Sequence, residues 1–177
     1  IVIGHSEGSL IGMNAAKNAE GFVSIAGAGY SADLILKNQL GAQGKQIQDM
    51  CFPILDSLRE GKIVANINPM LNSLFKPSVQ PYMISWFKHN PQADIKLLKF
   101  PSLIIQGDND LQISLEDARQ LSAASPKSKL VIIEKMNHIF KIIESGDRSA
   151  NVAAYSDPSM PISTGLAEAI VKYINSK

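Results

Sequence analysis

The chain has few of the features that mark a specialised class of protein. Its 177 residues include one cysteine, Cys51, which cannot form an internal disulfide, so oxidation does not hold the fold together. Lys and Arg number 17 and Asp and Glu number 16, which gives a net charge of +1 without a block of one sign. Nucleic acid is therefore not expected as a partner. No apolar run approaches the roughly 18 residues that a membrane span needs, so no span is expected either.

The start of the chain also lacks the basic and apolar regions of a signal peptide. It opens instead on Ile1-Val2-Ile3, three apolar β-branched residues without an initiator Met. We expect the chain to begin within a strand and to be a fragment of a longer protein. A separate N-terminal half, and a half-fold completed by self-association, are the alternatives. Any targeting signal would precede residue 1, so the sequence assigns no compartment.

What the chain does have is the composition of an ordinary globular domain, with 45% hydrophobic and 19% charged residues. Short apolar runs bounded by Gly or Pro predict strands buried on both faces, and helical patterns separate them. This alternation predicts an α/β fold with a parallel sheet and flanking helices. The predicted strands are Ile1–Ile3, Phe22–Ala26, Leu103–Gln106 and Leu130–Ile133, and the predicted helices are Ser9–Glu20, Ser114–Leu121 and Ala167–Ile174.

The stretch between the second and third strands is far longer than a crossover requires. It is rich in apolar residues at helical spacing, and Gly and Pro residues divide it into short segments. We interpret residues 31–99 as a helical cap inserted into a core formed by residues 1–30 and 100–177. A pair of ordinary crossover helices is the simpler alternative.

A serine motif follows the first strand. Residues 4–8 read G-H-S-E-G, which matches G-x-S-x-G between a predicted strand and a predicted helix. Such a turn raises Ser6 above the sheet, and Gly4 and Gly8 let the neighbouring backbone approach closely. The helix N-terminus favours negative charge, so the backbone N–H of Glu7 is the expected oxyanion donor.

A nucleophilic serine needs a base, and the base needs an orienting carboxylate. Asp108 and Asp110 follow the third strand, and His138 follows the fourth. The C-terminal ends of parallel strands share one sheet edge, so all of these residues are expected near Ser6.

Together these segments resemble the C-terminal half of an α/β-hydrolase. The resemblance rests on residues 1–8, 101–113 and 136–141, and on the chain order Ser, Asp, His. The chain is most similar to bacterial esterases and acyl-hydrolases of the serine aminopeptidase-like and dienelactone hydrolase-like branches. The resemblance implies the acid at Asp110, with Asp108 as the runner-up. It also implies further strands before residue 1 and a second oxyanion N–H from a loop among them.

The expected function is that of a serine hydrolase that cleaves a small-molecule carboxylic ester, or a thioester or small amide, without a cofactor. The alternatives are an aminopeptidase-like hydrolase, which would use carboxylates such as Asp49, Asp56 or Glu60 to hold a substrate ammonium, and a catalytically silent domain used for binding or assembly. No spacing of metal ligands is present, so no metal is expected. The residues expected to roof an acyl pocket are Tyr82, Met83, Trp86 and Phe87.

Overall fold

A computed structural model describes the whole chain, residues 1–177. The strands are β1 (Val2–His5), β2 (Phe22–Ile25), β3 (Ser102–Gly107) and β4 (Lys129–Ile133). The helices are α1 (Glu7–Ala15), α2 (Ala32–Gly41), α3 (Lys45–Arg59), α4 (Asn72–Phe75), α5 (Gln80–Phe87), α6 (Pro91–Lys96), α7 (Leu115–Ala124), α8 (Arg148–Ala153) and α9 (Thr164–Ile174). Short 3₁₀ segments cover Ala16–Asn18, Pro69–Leu71 and Ala154–Ser156. None of these helices combines the length and apolar content that crossing a membrane requires.

The four strands form one parallel sheet in the order β1-β2-β3-β4. His5 at the end of β1 pairs with Ile25 at the end of β2, and Gly107 at the end of β3 pairs with Ile133 at the end of β4. The parallel sheet with flanking helices that the sequence predicts is therefore confirmed. Because all four strands run the same way, the loops that follow them emerge at one edge of the sheet.

The prediction that every strand is buried on both faces is wrong for the two outer strands. Every residue of β2 and β3 is buried. In β1 only Gly4 is buried and Ile3 is 48% exposed, whereas β4 has no buried residue. Both outer strands have a neighbour on one side only, which leaves their free edge accessible.

The chain divides into two compact units, residues 1–29 with 91–177 and residues 30–90. The first unit contains the sheet, and the second contains α2 to α5. Residues 91–99, which the sequence analysis placed in the insert, belong instead to the first unit. The reason is that α6 packs against α1 and α7, so its apolar side is covered within the first unit.

Each unit has its own apolar core. In the first unit, residues from β2 and β3 pack with Met136 and with Leu166 and Tyr173 of α9. In the second unit, Cys51, Leu55, Leu58 and Phe75 are wholly buried together. Those two clusters share no residue.

The predicted start of α7 at Ser114 is confirmed, and the residues there form a capping box. The Ser114 hydroxyl accepts the backbone N–H of Asp117, and the Asp117 carboxylate accepts the backbone N–H of Ser114. Asp117 also accepts the N–H of Gly29 at 2.9 Å, so the same carboxylate anchors the loop after β2. The short helix α8 has no counterpart in the sequence analysis.

Candidate active site

Ser6 stands at a strained turn between β1 and α1. Its backbone has φ 55° and ψ −123°, a conformation that a residue with a side chain rarely adopts and that costs about 1–3 kcal/mol. The surroundings hold it there, since its N–H donates to the carbonyl of Ile25 at 2.9 Å and its carbonyl accepts the N–H of Ser9 at 2.9 Å. The strand-to-helix turn that the motif predicts is therefore present.

The two glycines of the motif have different roles. A Cβ at Gly4 would lie 2.1 Å from the carbonyl oxygen of Gly8, so β1 and α1 can approach as they do only when residue 4 is glycine. A Cβ at Gly8 would meet no atom within 4 Å. The expectation that both glycines permit a close approach is correct for Gly4 and wrong for Gly8, because it is the backbone of residue 8 that approaches residue 4.

The structure brings Ser6 and His138 within hydrogen-bond distance although 132 positions separate them in the chain. The Oγ of Ser6 lies 3.1 Å from Nε2 of His138, and Nδ1 of His138 lies 2.8 Å from Oδ2 of Asp110. With its proton on Nδ1 donated to Asp110, the imidazole presents an unprotonated Nε2 to the serine hydroxyl. In this tautomer His138 can accept a proton from Ser6.

Asp110 and Asp108 face different partners. The side chain of Asp110 is 1% exposed, and its Oδ1 accepts the N–H groups of Gln112 at 2.7 Å and Ile113 at 3.0 Å. Asp108 instead accepts the N–H of Lys135 at 2.5 Å. Asp108 thus closes the turn after β4, and Asp110 is the carboxylate that meets the imidazole.

The loops that carry the acid and the histidine are held together by their backbones. A Cβ at Gly107 would lie 2.0 Å from the carbonyl oxygen of Met136, and that same oxygen accepts the N–H of Asn109 at 3.2 Å. The N–H of Asp108 donates to Ile133 at the end of β4. Close backbone contact between the loops sets the distance between Asp110 and His138.

Two buried asparagines add to this connection, and the sequence analysis did not identify them. The Oδ1 of Asn137 accepts the N–H groups of Ile139 and Lys141, which closes the loop around His138. The Nδ2 of Asn137 donates to Asn151, whose own Nδ2 donates to the carbonyl of Asn109 at 2.7 Å. The position of Asn137 directly before His138 was the only available signal, because Asn151 is remote in sequence.

Gln106 is a third residue without a role in the sequence analysis. It is fully buried in β3, and its Nε2 lies 3.0 Å from Oδ2 of Asp110. A polar side chain inside a run of buried aliphatic residues was a visible signal, since such a group is rarely buried without hydrogen bonds.

His5 lies against the histidine loop. Its Nε2–H donates to the backbone carbonyl of His138 at 2.9 Å, and its ring packs against the edge of Phe140 with the centroids 4.5 Å apart. Burial lowers the pKa of His5, and the neighbouring imidazole of His138 lowers it further. His5 is therefore held neutral near pH 7.

Glu7 follows the serine and is the first residue of α1. Its backbone N–H has no acceptor within the helix, because the first N–H groups of any helix lack one. It is thus free to face a negatively charged oxygen beside Ser6. Burial raises the pKa of the Glu7 carboxyl group.

The four residues expected to roof an acyl pocket all lie on α5, but they differ in burial. Met83 and Phe87 are 2% and 1% exposed in the core of the second unit, so these two cannot line a pocket. Tyr82 is exposed and Trp86 is half-buried, with their ring centroids 5.9 Å apart. The reason is helical spacing, which turns positions 83 and 87 to the same side.

The carboxylates considered for holding a substrate ammonium all have lysine partners within the second unit. Asp49 pairs with Lys45, Asp56 with Lys37 and Glu60 with Lys62. No group of three or more His, Cys, Asp or Glu side chains lies close enough together to hold a metal ion.

No protein-family model matches the chain, and no curated protein matches it in sequence. Several solved structures of α/β-hydrolase-fold enzymes are similar to it. A bromoperoxidase from Bacillus anthracis is 17% identical with a TM-score of 0.46, over 86% of this chain and 63% of that one. A meta-cleavage product hydrolase from Pseudomonas fluorescens IP01 is 19% identical with a TM-score of 0.44, over 86% and 62%. The esterase domain of a Rhodothermus marinus protein is 15% identical with a TM-score of 0.46, over 86% and 57%.

The chain thus spans less than two thirds of the length of these structures. A likeness with TM-scores of 0.44 to 0.46 carries no argument about activity. The case for function therefore rests on the geometry of Ser6, His138 and Asp110.

Proposed function

We propose that this chain carries the nucleophile, base and acid of a serine hydrolase that acts on small carboxylic esters. The observation that supports this is the hydrogen-bonded series from Ser6 Oγ through the His138 ring to Asp110 Oδ2, with distances of 3.1 and 2.8 Å. The strained backbone of Ser6 adds support, because such strain persists only where the surrounding structure enforces it and is common at active sites.

In the proposed reaction, Ser6 Oγ attacks the acyl carbonyl carbon while His138 Nε2 takes the hydroxyl proton. Asp110 stabilises the imidazolium that forms and keeps its ring oriented. The N–H of Glu7 donates to the oxyanion. The imidazolium then gives its proton to the leaving oxygen, which departs and leaves Ser6 acylated. Water, deprotonated by His138, releases the acid and restores Ser6.

The substrate class is proposed as an ester rather than a peptide. Asp49, Asp56 and Glu60 each already pair with a lysine, which weakens the proposal of a carboxylate that holds a substrate ammonium. The assignment of Tyr82 and Trp86 as contacts for an acyl group stays a prediction from the sequence.

Covalent labelling tests the proposal. The chain is incubated with a fluorophosphonate, which phosphonylates an activated serine, and the adduct is located by mass spectrometry of peptides. We expect one adduct, on Ser6, which Ser6→Ala abolishes. Absence of labelling in the folded chain would favour the catalytically silent domain over the enzyme.

The two neighbouring aspartates provide a matched pair of variants. Asp110→Asn should slow labelling and the hydrolysis of a p-nitrophenyl ester by about 10⁴-fold, because the imidazole then loses the carboxylate that sets its tautomer. Asp108→Asn should slow them less than about tenfold, since Asp108 bonds only to the turn at Lys135. The reverse order would show that the acid is wrongly assigned.

A further inference from the structure

Gln106 connects the strand that carries the acid loop to the acid itself. It is the penultimate residue of β3 and is wholly buried. Its Nε2 lies 3.0 Å from Oδ2 of Asp110, 3.2 Å from the carbonyl oxygen of Gly107 and 3.1 Å from that of Ile113. These acceptors come from the start, the middle and the end of the loop between residues 107 and 113. The side-chain amide of Gln106 therefore contacts the loop that carries Asp110 at three points, from within the sheet.

The other half of the same amide has no partner. The Oε1 of Gln106 is buried and accepts no hydrogen bond. Rotating the amide by 180° would place this oxygen against a carboxylate and two carbonyls, which repel it. The orientation that points the N–H groups at the acid loop therefore leaves Oε1 without a hydrogen bond. A buried group in that state calls for an explanation beyond packing.

The carboxylate of Asp110 divides its hydrogen bonds in a specific way. Its Oδ1 accepts two backbone N–H groups, whereas its Oδ2 accepts Nδ1–H of His138 and Nε2–H of Gln106. His138 and Gln106 therefore share Oδ2 of Asp110 as their acceptor. A donor to a carboxylate oxygen draws off part of the negative charge that a second donor would feel.

We propose that Gln106 is a positioning residue that holds Oδ2 of Asp110 in the plane of the His138 ring and moderates its charge. It thereby sets how strongly Asp110 stabilises the protonated imidazole. Gln106 acts through Asp110, and its hydrogen bonds go to Asp110, Gly107 and Ile113 rather than to Ser6. This role rests on the proposed function, because it concerns the acid of the same site. The other titratable groups that interact with Asp110 are His5, His138 and Tyr155.

Three variants on β3 test the role. Gln106→Met keeps the length of the side chain and removes the donor. Gln106→Glu keeps the shape and offers an O–H donor only while it is protonated. Ser102→Ala is the control, because Ser102 is equally buried on the same strand and its hydroxyl has no partner. Dispersed amide spectra establish that each variant is folded.

The first readout is the rate at which the fluorophosphonate labels Ser6 between pH 5 and 9. In Gln106→Met the maximal rate should fall about tenfold, because Oδ2 of Asp110 is no longer held in position for the imidazole. The pH of half-maximal rate should rise by about one unit, because a more negative Oδ2 holds the imidazolium more strongly. Gln106→Glu should label faster than Gln106→Met at the acidic end and lose this advantage as the pH rises. Ser102→Ala should follow the unmodified chain.

The second readout does not depend on catalysis. The proton on Nδ1 of His138 should give a downfield signal in the unmodified chain, and Gln106→Met should shift or broaden it, whereas Ser102→Ala should leave it unchanged. If Ser6 is never labelled, the proposed function fails and this signal alone decides the role of Gln106. A folded Gln106→Met with an unchanged signal and an unchanged pH midpoint would overturn the role, as would equal changes in Ser102→Ala.

Discussion

At the scale of single residues, His5 links the serine strand to the histidine loop. Its hydrogen bond reaches the backbone of His138, and its ring contacts the rings of both His138 and Phe140. Because burial and the adjacent imidazole lower its pKa, protonation of His5 is less favourable in the folded chain than in the unfolded one.

The sign of the resulting pH dependence follows from this difference. The ordinary pKa of the group is 6.5 and its pKa in the folded chain is lower, so the unfolded chain takes up the proton first as the pH falls. The contribution of neutral His5 to stability is therefore complete above pH 6.5 and is lost as the pH falls below that value. We expect His5→Gln, which keeps an N–H donor, to reduce the fall in the free energy of unfolding between pH 7 and 5.

Urea unfolding at stepped pH, followed by the amide signals of β2 and β3, measures this effect. His89→Gln is the matched control, because His89 lies in the second unit and is not part of this cluster. An unchanged pH slope in His5→Gln would contradict the assignment of a neutral His5.

The residue scale also shows where sequence reasoning was sufficient. Ser6 and His138 could be named because each lies in the loop after a predicted strand, which is a local pattern. The choice of Asp110 over Asp108 came from the resemblance to α/β-hydrolases. Gln106 was not named, because the sequence does not show that its amide turns back onto the loop that follows it. Asn151 was not named, because its partners Asn109 and Asn137 lie in other segments. Met83 and Phe87 were named for their apolar character, which cannot distinguish a core residue from a pocket residue.

At the scale of elements, the turn from β1 to α1 depends on one glycine. We expect Gly4→Ala to destabilise the fold by about 3 kcal/mol, because the new methyl group would lie 2.1 Å from the backbone oxygen of Gly8, which no side-chain rotation can relieve. Gly8→Ala should be neutral, or should stabilise the chain by up to about 1 kcal/mol, because its Cβ meets no atom and alanine favours the helix.

Urea unfolding of the two variants measures the difference, and the fluorophosphonate assay shows whether Ser6 keeps its geometry. Equal destabilisation by both substitutions would show that the helix packs more closely at residue 8 than the structure indicates.

At the scale of the whole molecule, the two units have apolar cores that share no residue. We therefore expect the two units to unfold in separate steps. The second unit is smaller and buries less surface, so its amides should exchange with solvent more readily than those of β3. Leu55→Ala removes a wholly buried side chain of the second unit and should destabilise that unit by about 2–5 kcal/mol. Its effect should appear in α3 and α5 and leave β3 unchanged.

Hydrogen exchange measured by NMR at low urea distinguishes the outcomes. Ile105→Ala, in the core of the first unit, serves as the converse variant. If Leu55→Ala accelerates exchange in β3 as much as in α3, the chain opens as one cooperative body.

The sequence by itself determined the four strands and their order along the chain, helices near α1, α7 and α9, the parallel sheet, and the strand ends that hold a serine, an aspartate and a histidine. These properties follow from local patterns, in which apolar runs, glycines and capping residues act over a few positions. Only the tertiary structure decided that Asp108 closes a turn while Asp110 meets His138, and that Gln106 faces the acid loop. It also decided that α6 belongs with the sheet and that Met83 and Phe87 are core residues. The contacts of Gln106 depend on the folded path of the loop that follows it. The others depend on contacts between segments far apart in the chain, whose geometry is set by the packing of the whole unit.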